Sequence, residues 1–336
     1  MREQNNIDAI RYILAISVIT CHFNGLFSFD IPVLISNFNR VGCFFALSGF
    51  LIYRSFERSS DVKTFFKKRV RRIFPSYVFM ILFFAIGLVL LSNLPVVEYF
   101  TSFQWWKYLI SNLCYLNFIE PCLPGVFDSN PVPFINGSLW TLKIEWILYL
   151  SIPIFSYLIY RLKFNHNITI VVIYIVSIVW RIIFGMLYEE TGLPIYHILS
   201  RQFFGQLCYF YAGVFIYFHF DKFKKYKWYI FAIAVLLLIL RNNIYMYDLT
   251  IGPAVVASLV LFFGYTGKWG NILNSKNNVS YDMFLYHFPI MQICAYFGVQ
   301  QLGQWYAFAI VLGITLLFSC FSWFVIGKRY LYSNKR

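Results

Sequence analysis

The composition of this chain is that of a membrane protein. Of its 336 residues, 60% are hydrophobic, 22% are aromatic and 12% are charged, whereas soluble domains carry about 25% charged residues. An ordinary soluble domain is therefore excluded. The formal net charge of +14 would suggest nucleic-acid binding in a soluble protein, but a membrane protein concentrates Lys and Arg in its cytoplasmic loops. We expect membrane lipids as partners, and no nucleic acid.

Ten apolar runs of roughly helical length follow one another along the chain. At about 20 residues per crossing the length allows roughly ten crossings and leaves no room for an appended soluble domain. The sequence predicts an all-α, polytopic transmembrane helix bundle that forms a single domain over residues 1–336. The second and seventh runs are short, and the ten are 7–29, 41–56, 76–94, 138–160, 168–187, 202–220, 228–240, 249–266, 280–299 and 305–326.

The longest predicted loop lies between Pro95 and Gly137. It contains the aromatic stretch QWWKYLISNLCYLNF, which is typical of a segment that lies in the membrane interface or re-enters the membrane. We do not count it as a crossing. Cys114 and Cys122 share this loop, so a disulfide there and two free thiols both stay open.

Lys and Arg alternate between successive loops, and this alternation predicts the orientation of the chain. Basic loops follow the second, fourth, sixth and eighth predicted helices and the C-terminal tail is basic, while the loops between them hold few such residues. By the positive-inside rule both termini are cytoplasmic, and we expect a multi-pass protein of the cell's inner (plasma) membrane. The basic residues concerned are Arg58, Lys63, Lys67, Lys68, Arg69, Arg71, Arg72, Arg161, Lys163, Lys222, Lys224, Lys225, Lys227, Lys268, Lys276, Lys328, Arg329, Lys335 and Arg336.

The first predicted helix carries two ionisable residues, Arg11 and His22. An ionisable group at the bilayer centre costs about 2.5–3.5 kcal/mol on insertion scales and therefore indicates a functional site. Eleven residues bring the helix round to about the same face, so the two side chains lie about 16 Å apart along one stripe. Arg11 is predicted near the inner surface and His22 in the outer half. The alternative is that Arg11 reaches lipid headgroups and that His22 satisfies a buried hydrogen bond.

The fourth predicted helix carries Glu145, which lies about 10 Å below the outer surface if the helix enters near Ser138. This depth is close to that of His22, so the sequence predicts that the carboxylate meets the imidazole. A carboxylate beside a histidine fixes its tautomer and raises its basicity, as a general base requires. The alternative is an ion pair of Glu145 with Lys143, Arg181 or Arg241.

A basic cluster, KKRVRRIFPSY, precedes the third predicted helix. It places Arg69 and Arg72 one helical turn apart, just ahead of Pro75. Guanidinium groups at this spacing suit phosphate groups. The alternative is that the cluster fixes topology and binds anionic lipids.

Five elements occur in order along the chain: RYILAISVITCH from Arg11 to His22, FFALSGFLI from Phe44 to Ile52, RVRRIFPSY from Arg69 to Tyr77, SLWTLKIEWILY from Ser138 to Tyr149, and SYDMFLYHFP from Ser280 to Pro289. Together they resemble the acyltransferase 3 family of integral-membrane O-acyltransferases, over nearly the whole chain. Trp146 stands where many relatives carry a polar residue. We expect the membrane domain to lack the extracytoplasmic hydrolase-like domain that some relatives append, which leaves acceptor choice to the membrane domain or a separate partner.

The resemblance implies transfer of an acyl group from cytoplasmic acyl-CoA, most simply acetyl-CoA, to a sugar hydroxyl of a lipid-linked or cell-surface polysaccharide. The phosphates of coenzyme A would lie among Arg11, Arg69 and Arg72, and no metal is expected. His22 would act as general base with Glu145 orienting it. An acyl-histidine intermediate is the less favoured variant.

Two further residues are candidates for the site. Tyr149 lies one turn from Glu145 and could hydrogen-bond there. His287 on the ninth predicted helix stands about 10 Å from the inner surface, which favours a structural or donor-lining role over a direct one. The competing function is a transporter or channel with a substrate or proton pathway formed by Arg11, His22, Glu145 and Arg181. A third reading is a non-catalytic lipid or polymer partner.

Overall fold

The computed structural model describes residues 5–35, 39–270, 273 and 277–332, with Tyr332 described by its backbone alone. Throughout these residues the regular structure is helical and no strand occurs. The α-helices are α1 Ile7–Phe27, α2 Arg40–Glu57, α3 Val62–Gly87, α4 Val96–Thr101, α5 Phe103–Leu113, α6 Trp140–Tyr160, α7 His166–Thr191, α8 Pro194–Ser200, α9 Phe203–Phe218, α10 Phe220–Ile239, α11 Gly252–Tyr265, α12 Ser280–Tyr296, α13 Gln304–Ser322 and α14 Lys328–Tyr332, with a π-helical segment Trp323–Gly327 between the last two.

Each of the ten predicted runs overlaps a helix: α1, α2, α3, α6, α7 and α9 to α13. Within the described residues, five helical stretches are long and apolar enough to cross a membrane, and α9 with α10 makes a sixth if this pair, bent by 110°, is one span. The chain is thus an all-α, multi-pass membrane protein. Ten crossings and cytoplasmic termini stay predictions. The predicted cytoplasmic residues Lys276, Lys335 and Arg336 lie outside the described residues.

Helix α3 begins at Val62, fourteen residues before the predicted start of its run. Asp61 accepts a hydrogen bond from the backbone N–H of Thr64 at 2.7 Å, which satisfies one of the unpaired donors of a first helical turn. Hydrogen bonds from Ser60 and Thr64 lower the pKa of Asp61 to about 2. The basic cluster is therefore the first turns of α3, and Pro75 lies inside the helix.

The described residues form two compact units. The first takes its residues from Met1–Ile10, Asn37–Phe65 and Ile144–Ile272. In it, α2, α7 and α11 pack against α9. A Cβ atom at Gly49 would overlap the carbonyl oxygen of Phe210, and one at Gly213 would overlap that of Ala46. Glycine at these two positions lets α2 and α9 approach backbone to backbone.

The second unit takes its residues from Arg11–Ser36, Phe66–Lys143 and Leu273–Arg336. Its long loop contains α4 and α5, and the eleven residues of α5 are too few to cross a bilayer. Trp106 and Ile110 on α5 are 51% and 61% exposed, as an interfacial helix requires. The amide of Gln292 on α12 donates to the carbonyl oxygens of Val132 and Phe134, at 2.8 and 2.6 Å. These bonds fasten the end of the loop to α12.

Candidate active site

His22 has a second histidine as a hydrogen-bond partner. His22 Nδ1 lies 2.8 Å from His287 Nε2, and both residues belong to the second unit. The His22 side chain is half-buried and His287 is fully buried. The sequence predicted that His287 stands too near the inner surface for a direct role at the level of His22, and that separation is wrong.

The two histidines meet because α12 does not begin level with the start of α1. The backbone N–H of Val279, just ahead of α12, donates to Tyr12 Oη at 3.0 Å. His22 lies ten residues beyond Tyr12 and His287 eight residues beyond Val279, which is about 15 Å and about 12 Å of rise. The remaining difference is within the reach of two imidazole side chains.

The backbone of α12 determines which nitrogen of each ring carries a hydrogen. His287 Nδ1 lies 2.8 Å from the carbonyl oxygen of Phe284 and 3.2 Å from that of Met283. A carbonyl oxygen accepts and cannot donate, so His287 Nδ1 carries the hydrogen. Full burial disfavours a charged imidazole, so His287 is neutral and its Nε2 is an acceptor.

The position of the hydrogen on His287 determines the position of the hydrogen on His22. Because His287 Nε2 accepts, His22 Nδ1 donates to it across 2.8 Å, and His22 Nε2 keeps its lone pair. The ring planes lie within 6° of each other and the centroids are 5.1 Å apart, so the two rings lie end to end in a common plane. The lone pair of an imidazole nitrogen lies in the plane of its ring, as this hydrogen bond requires. Phe288 contacts His22 edge-on at 5.5 Å between centroids. This arrangement leaves one basic nitrogen on His22.

Asn136 supports α12 at the position where a proline weakens it. Pro289 has no N–H, so it cannot pair with the carbonyl oxygen of Leu285 four residues earlier. Asn136 Nδ2 donates to that oxygen at 2.9 Å, and Asn136 Oδ1 accepts from Ser138 Oγ at 2.6 Å. Asn136, two residues ahead of Ser138, thus supports the turn of α12 that carries His287. Sequence reasoning missed Asn136, although a proline inside a helix signals an unpaired carbonyl.

Arg11, Arg69 and Arg72, here called the arginine cluster, lie toward the start of α12. Arg72 Nη2 donates to the carbonyl oxygen of Asn278 at 3.3 Å, and its guanidinium lies 4.8 Å from the ring centroid of Trp323. Arg72 also interacts electrostatically with the buried Asp282. Arg72 therefore holds α3 against the start of α12, in addition to any role in ligand binding.

Arg11 and Arg69 are half-buried in the same unit. Arg11 precedes Tyr12, whose hydroxyl binds the residue ahead of α12, and Arg69 lies one turn before Arg72 on α3. The three arginines accordingly belong to the helix segments that meet near Asn278. About 14 Å of α12 separates Asn278 from His287.

Glu145 is half-buried on α6 and accepts a hydrogen bond from the hydroxyl of Tyr149, one turn further on. Tyr149 thus binds the carboxylate, and its place in the site stays a prediction. The meeting of Glu145 with His22 stays a prediction. Arg181, an alternative partner of Glu145, donates to the carbonyl oxygen of Leu249 at 3.3 Å and lies 5.3 Å from the ring centroid of Tyr209.

No group of three or more His, Cys, Asp or Glu side chains that could hold a metal ion occurs in the described part of the chain. Cys114 and Cys122 are free thiols. Burial, with the charges of Glu120 and Asp128, raises the pKa of the Cys122 thiol to about 11, which keeps it in the unreactive protonated form at neutral pH.

The chain resembles known proteins over nearly its whole length. It is 25% identical to nodulation protein 10 of Rhizobium leguminosarum bv. viciae, over 97% of this chain and 93% of that protein. It is also 25% identical to the O-acetyl transferase of Shigella phage Sf6, over 98% and 97%. It shares 30% identity with the peptidoglycan O-acetyltransferase OatA of Listeria monocytogenes, over 48% of this chain and 25% of that protein. No solved structure matches the chain.

A family model decides the assignment. The model of the acyltransferase domain named acyltransferase 3 matches residues 4–324, which include His22, His287, Glu145 and the arginine cluster. The chain therefore belongs to the acyltransferase 3 family and is an O-acyltransferase.

Proposed function

We propose that this protein transfers an acetyl group from cytoplasmic acetyl-CoA to a sugar hydroxyl of a lipid-linked or cell-surface polysaccharide. Two of its relatives are named O-acetyltransferases, which supports acetyl as the group transferred. The Listeria relative is named for peptidoglycan, which supports a glycan acceptor.

One observation carries the mechanism: the hydrogen bond from His22 to His287 leaves His22 Nε2 with its lone pair. A general base must present such a nitrogen to the proton that it removes. His287 acts as a positioning residue, since it touches His22 and fixes its tautomer. Glu145, by its predicted depth, would stabilise the imidazolium that forms on His22.

The reaction then balances in one cycle. His22 Nε2 takes the proton of the acceptor hydroxyl while the hydroxyl oxygen attacks the thioester carbonyl carbon of the donor. The carbon–sulfur bond breaks, and the departing sulfur takes the proton from His22 Nε2 as a thiol. The products are the sugar ester and free coenzyme A, and His22 returns to its starting tautomer.

The arginine cluster supports binding of the donor at the other end of α12. Guanidinium groups bind phosphate through paired N–H donors, and Arg11, Arg69 and Arg72 lie in the helix segments that meet near Asn278. The pantetheine arm would cover the distance to His22. Replacing Arg69 by Ala should weaken acetyl-CoA binding more than replacing it by Lys, which keeps the charge but loses the paired donors.

We further propose that the chain crosses the inner membrane ten times, with both termini in the cytoplasm. Single-cysteine variants and a membrane-impermeant thiol reagent test it. Positions Lys67 and Lys225 should be protected in intact cells, and positions Asn130, Glu190 and Asp248 should be labelled. A reversed loop would contradict the depths that bring Glu145 to the level of His22.

The function is tested by mass spectrometry of the host's surface polysaccharide, from cells with the wild-type protein, with His22→Ala and without the protein. We expect an acetyl group on the glycan in the first case alone. A glycan mass that does not depend on the protein would contradict the proposed acceptor.

A further inference from the structure

A cleft of about 490 Å³ lies in the first unit among α7, α9, α10 and α11. Helices α9 and α10 diverge by 110° where His219 ends the first and precedes the second. Because α10 leaves the direction of α9 at this bend, the cleft stays open beside α7. Its volume lies within the range of ligand sites, about 300–1,000 Å³.

The body of the cleft is apolar and borders on lipid. Val171 on α7 and Phe215 on α9 line it, and their side chains are 49% and 38% exposed. Only Ile170 and Ser177 of α7 are buried, and α7 is one of the helices apolar enough to cross a membrane. In a bilayer such side chains contact acyl chains, so a ligand reaches this cleft from the lipid phase.

One end of the cleft is cationic. Lys222 and His219 line it, and the Lys222 side chain is exposed. His166, the first residue of α7, lies 5.9 Å from His219 between ring centroids. The neighbouring acid, Asp221, is paired with Lys224 at 2.8 Å. Lys222 therefore presents its ammonium group to a ligand at this end.

We propose that this cleft binds an anionic phospholipid, with one acyl chain along α7 and α9 and the phosphate at Lys222. A cationic end on an apolar cleft complements a lipid that joins an apolar chain to a negative headgroup, and basic side chains near a membrane surface attract such lipids. A water-soluble phosphate would leave the apolar body unfilled. The cleft belongs to the first unit and the histidine pair to the second, and this proposal does not depend on the proposed function.

Lipid binding is measured on the purified full-length protein in detergent by native mass spectrometry. The probes are phosphatidylglycerol, phosphatidylcholine with the same chains, and glycerol 3-phosphate. We expect phosphatidylglycerol to be retained in preference to phosphatidylcholine, and glycerol 3-phosphate to be lost. Equal retention of the two lipids, or retention of glycerol 3-phosphate, would overturn the proposal.

Two variants locate the site. Lys222→Ala should bind phosphatidylglycerol about fivefold more weakly, as expected for one surface cation. Lys227→Ala, an equal charge change on α10 at a lysine that does not line the cleft, should not. Ala254→Phe should lower retention of both lipids, because Ala254 lines the cleft and is exposed, so the larger side chain fills it without disturbing the core. Equal effects of the two lysine variants, or wild-type retention by folded Ala254→Phe, would contradict the site.

Discussion

Removing His287 should slow the reaction, because the hydrogen of His22 is then no longer held on Nδ1. His287→Leu deletes the acceptor Nε2 that lies 2.8 Å from His22 Nδ1. A net hydrogen bond contributes about 0.5–1.5 kcal/mol, and a buried donor left unpaired costs about 1–3 kcal/mol. At 1.4 kcal/mol per factor of ten, the tautomer of His22 that carries its hydrogen on Nδ1 becomes about 10- to 100-fold less populated. We expect kcat to fall by that factor, and KM for acetyl-CoA to stay near its wild-type value.

The assay is acetyl transfer by purified protein in vesicles, with the folded fraction measured separately. His287→Gln is the matched variant, because its amide oxygen can accept from His22 Nδ1, and we expect it to recover most of the lost kcat. Activity should fall at acidic pH in the wild type, because protonating either imidazole removes the base or the acceptor. If His287→Leu and His287→Gln lose the same activity in proportion to lost folded protein, His287 has a structural role alone and the tautomer argument is refuted.

Three further changes test the framework around the site. Asn136→Ala should lower stability by about 1–3 kcal/mol, because it leaves a carbonyl of α12 unpaired, which thermal unfolding will show as a lower Tm. Arg69→Ala and Arg72→Ala should both weaken acetyl-CoA binding, but Arg72→Ala should also lower the Tm; equal Tm values would contradict the role of Arg72 in packing. Gly213→Ala should destabilise by about 1–3 kcal/mol through overpacking, whereas Gly185→Ala, which faces open space on α7, should not.

The positions of the helices could be predicted from the sequence because apolar runs of this length have few other solutions in a membrane. The start of α3 could not be predicted in this way, because a proline such as Pro75 is typical of a helix boundary. The helix instead begins just after its cap at Asp61 and continues through Pro75. Proline removes one hydrogen bond from a helix but does not prevent the turns before it.

The histidine pair shows where the depth argument fails. His22 was identified from its spacing to Arg11, a relation within one helix that periodicity can determine. The predicted depth of His287 depends on a count of residues from a predicted membrane surface. That count cannot reveal that α12 begins beside Tyr12, five residues beyond the start of α1 at Ile7. Vertical offsets between helices are set by tertiary contacts that no single-helix pattern records.

The most direct test of the central claim is the turnover of purified His22→Ala in vesicles with acetyl-CoA and acceptor glycan. If His22 Nε2 is the general base, turnover should fall by about 10²–10⁴-fold, while the variant still inserts, keeps its Tm and binds acetyl-CoA as the wild type does. Acylation of the glycan by folded His22→Ala at a near wild-type rate would contradict the account.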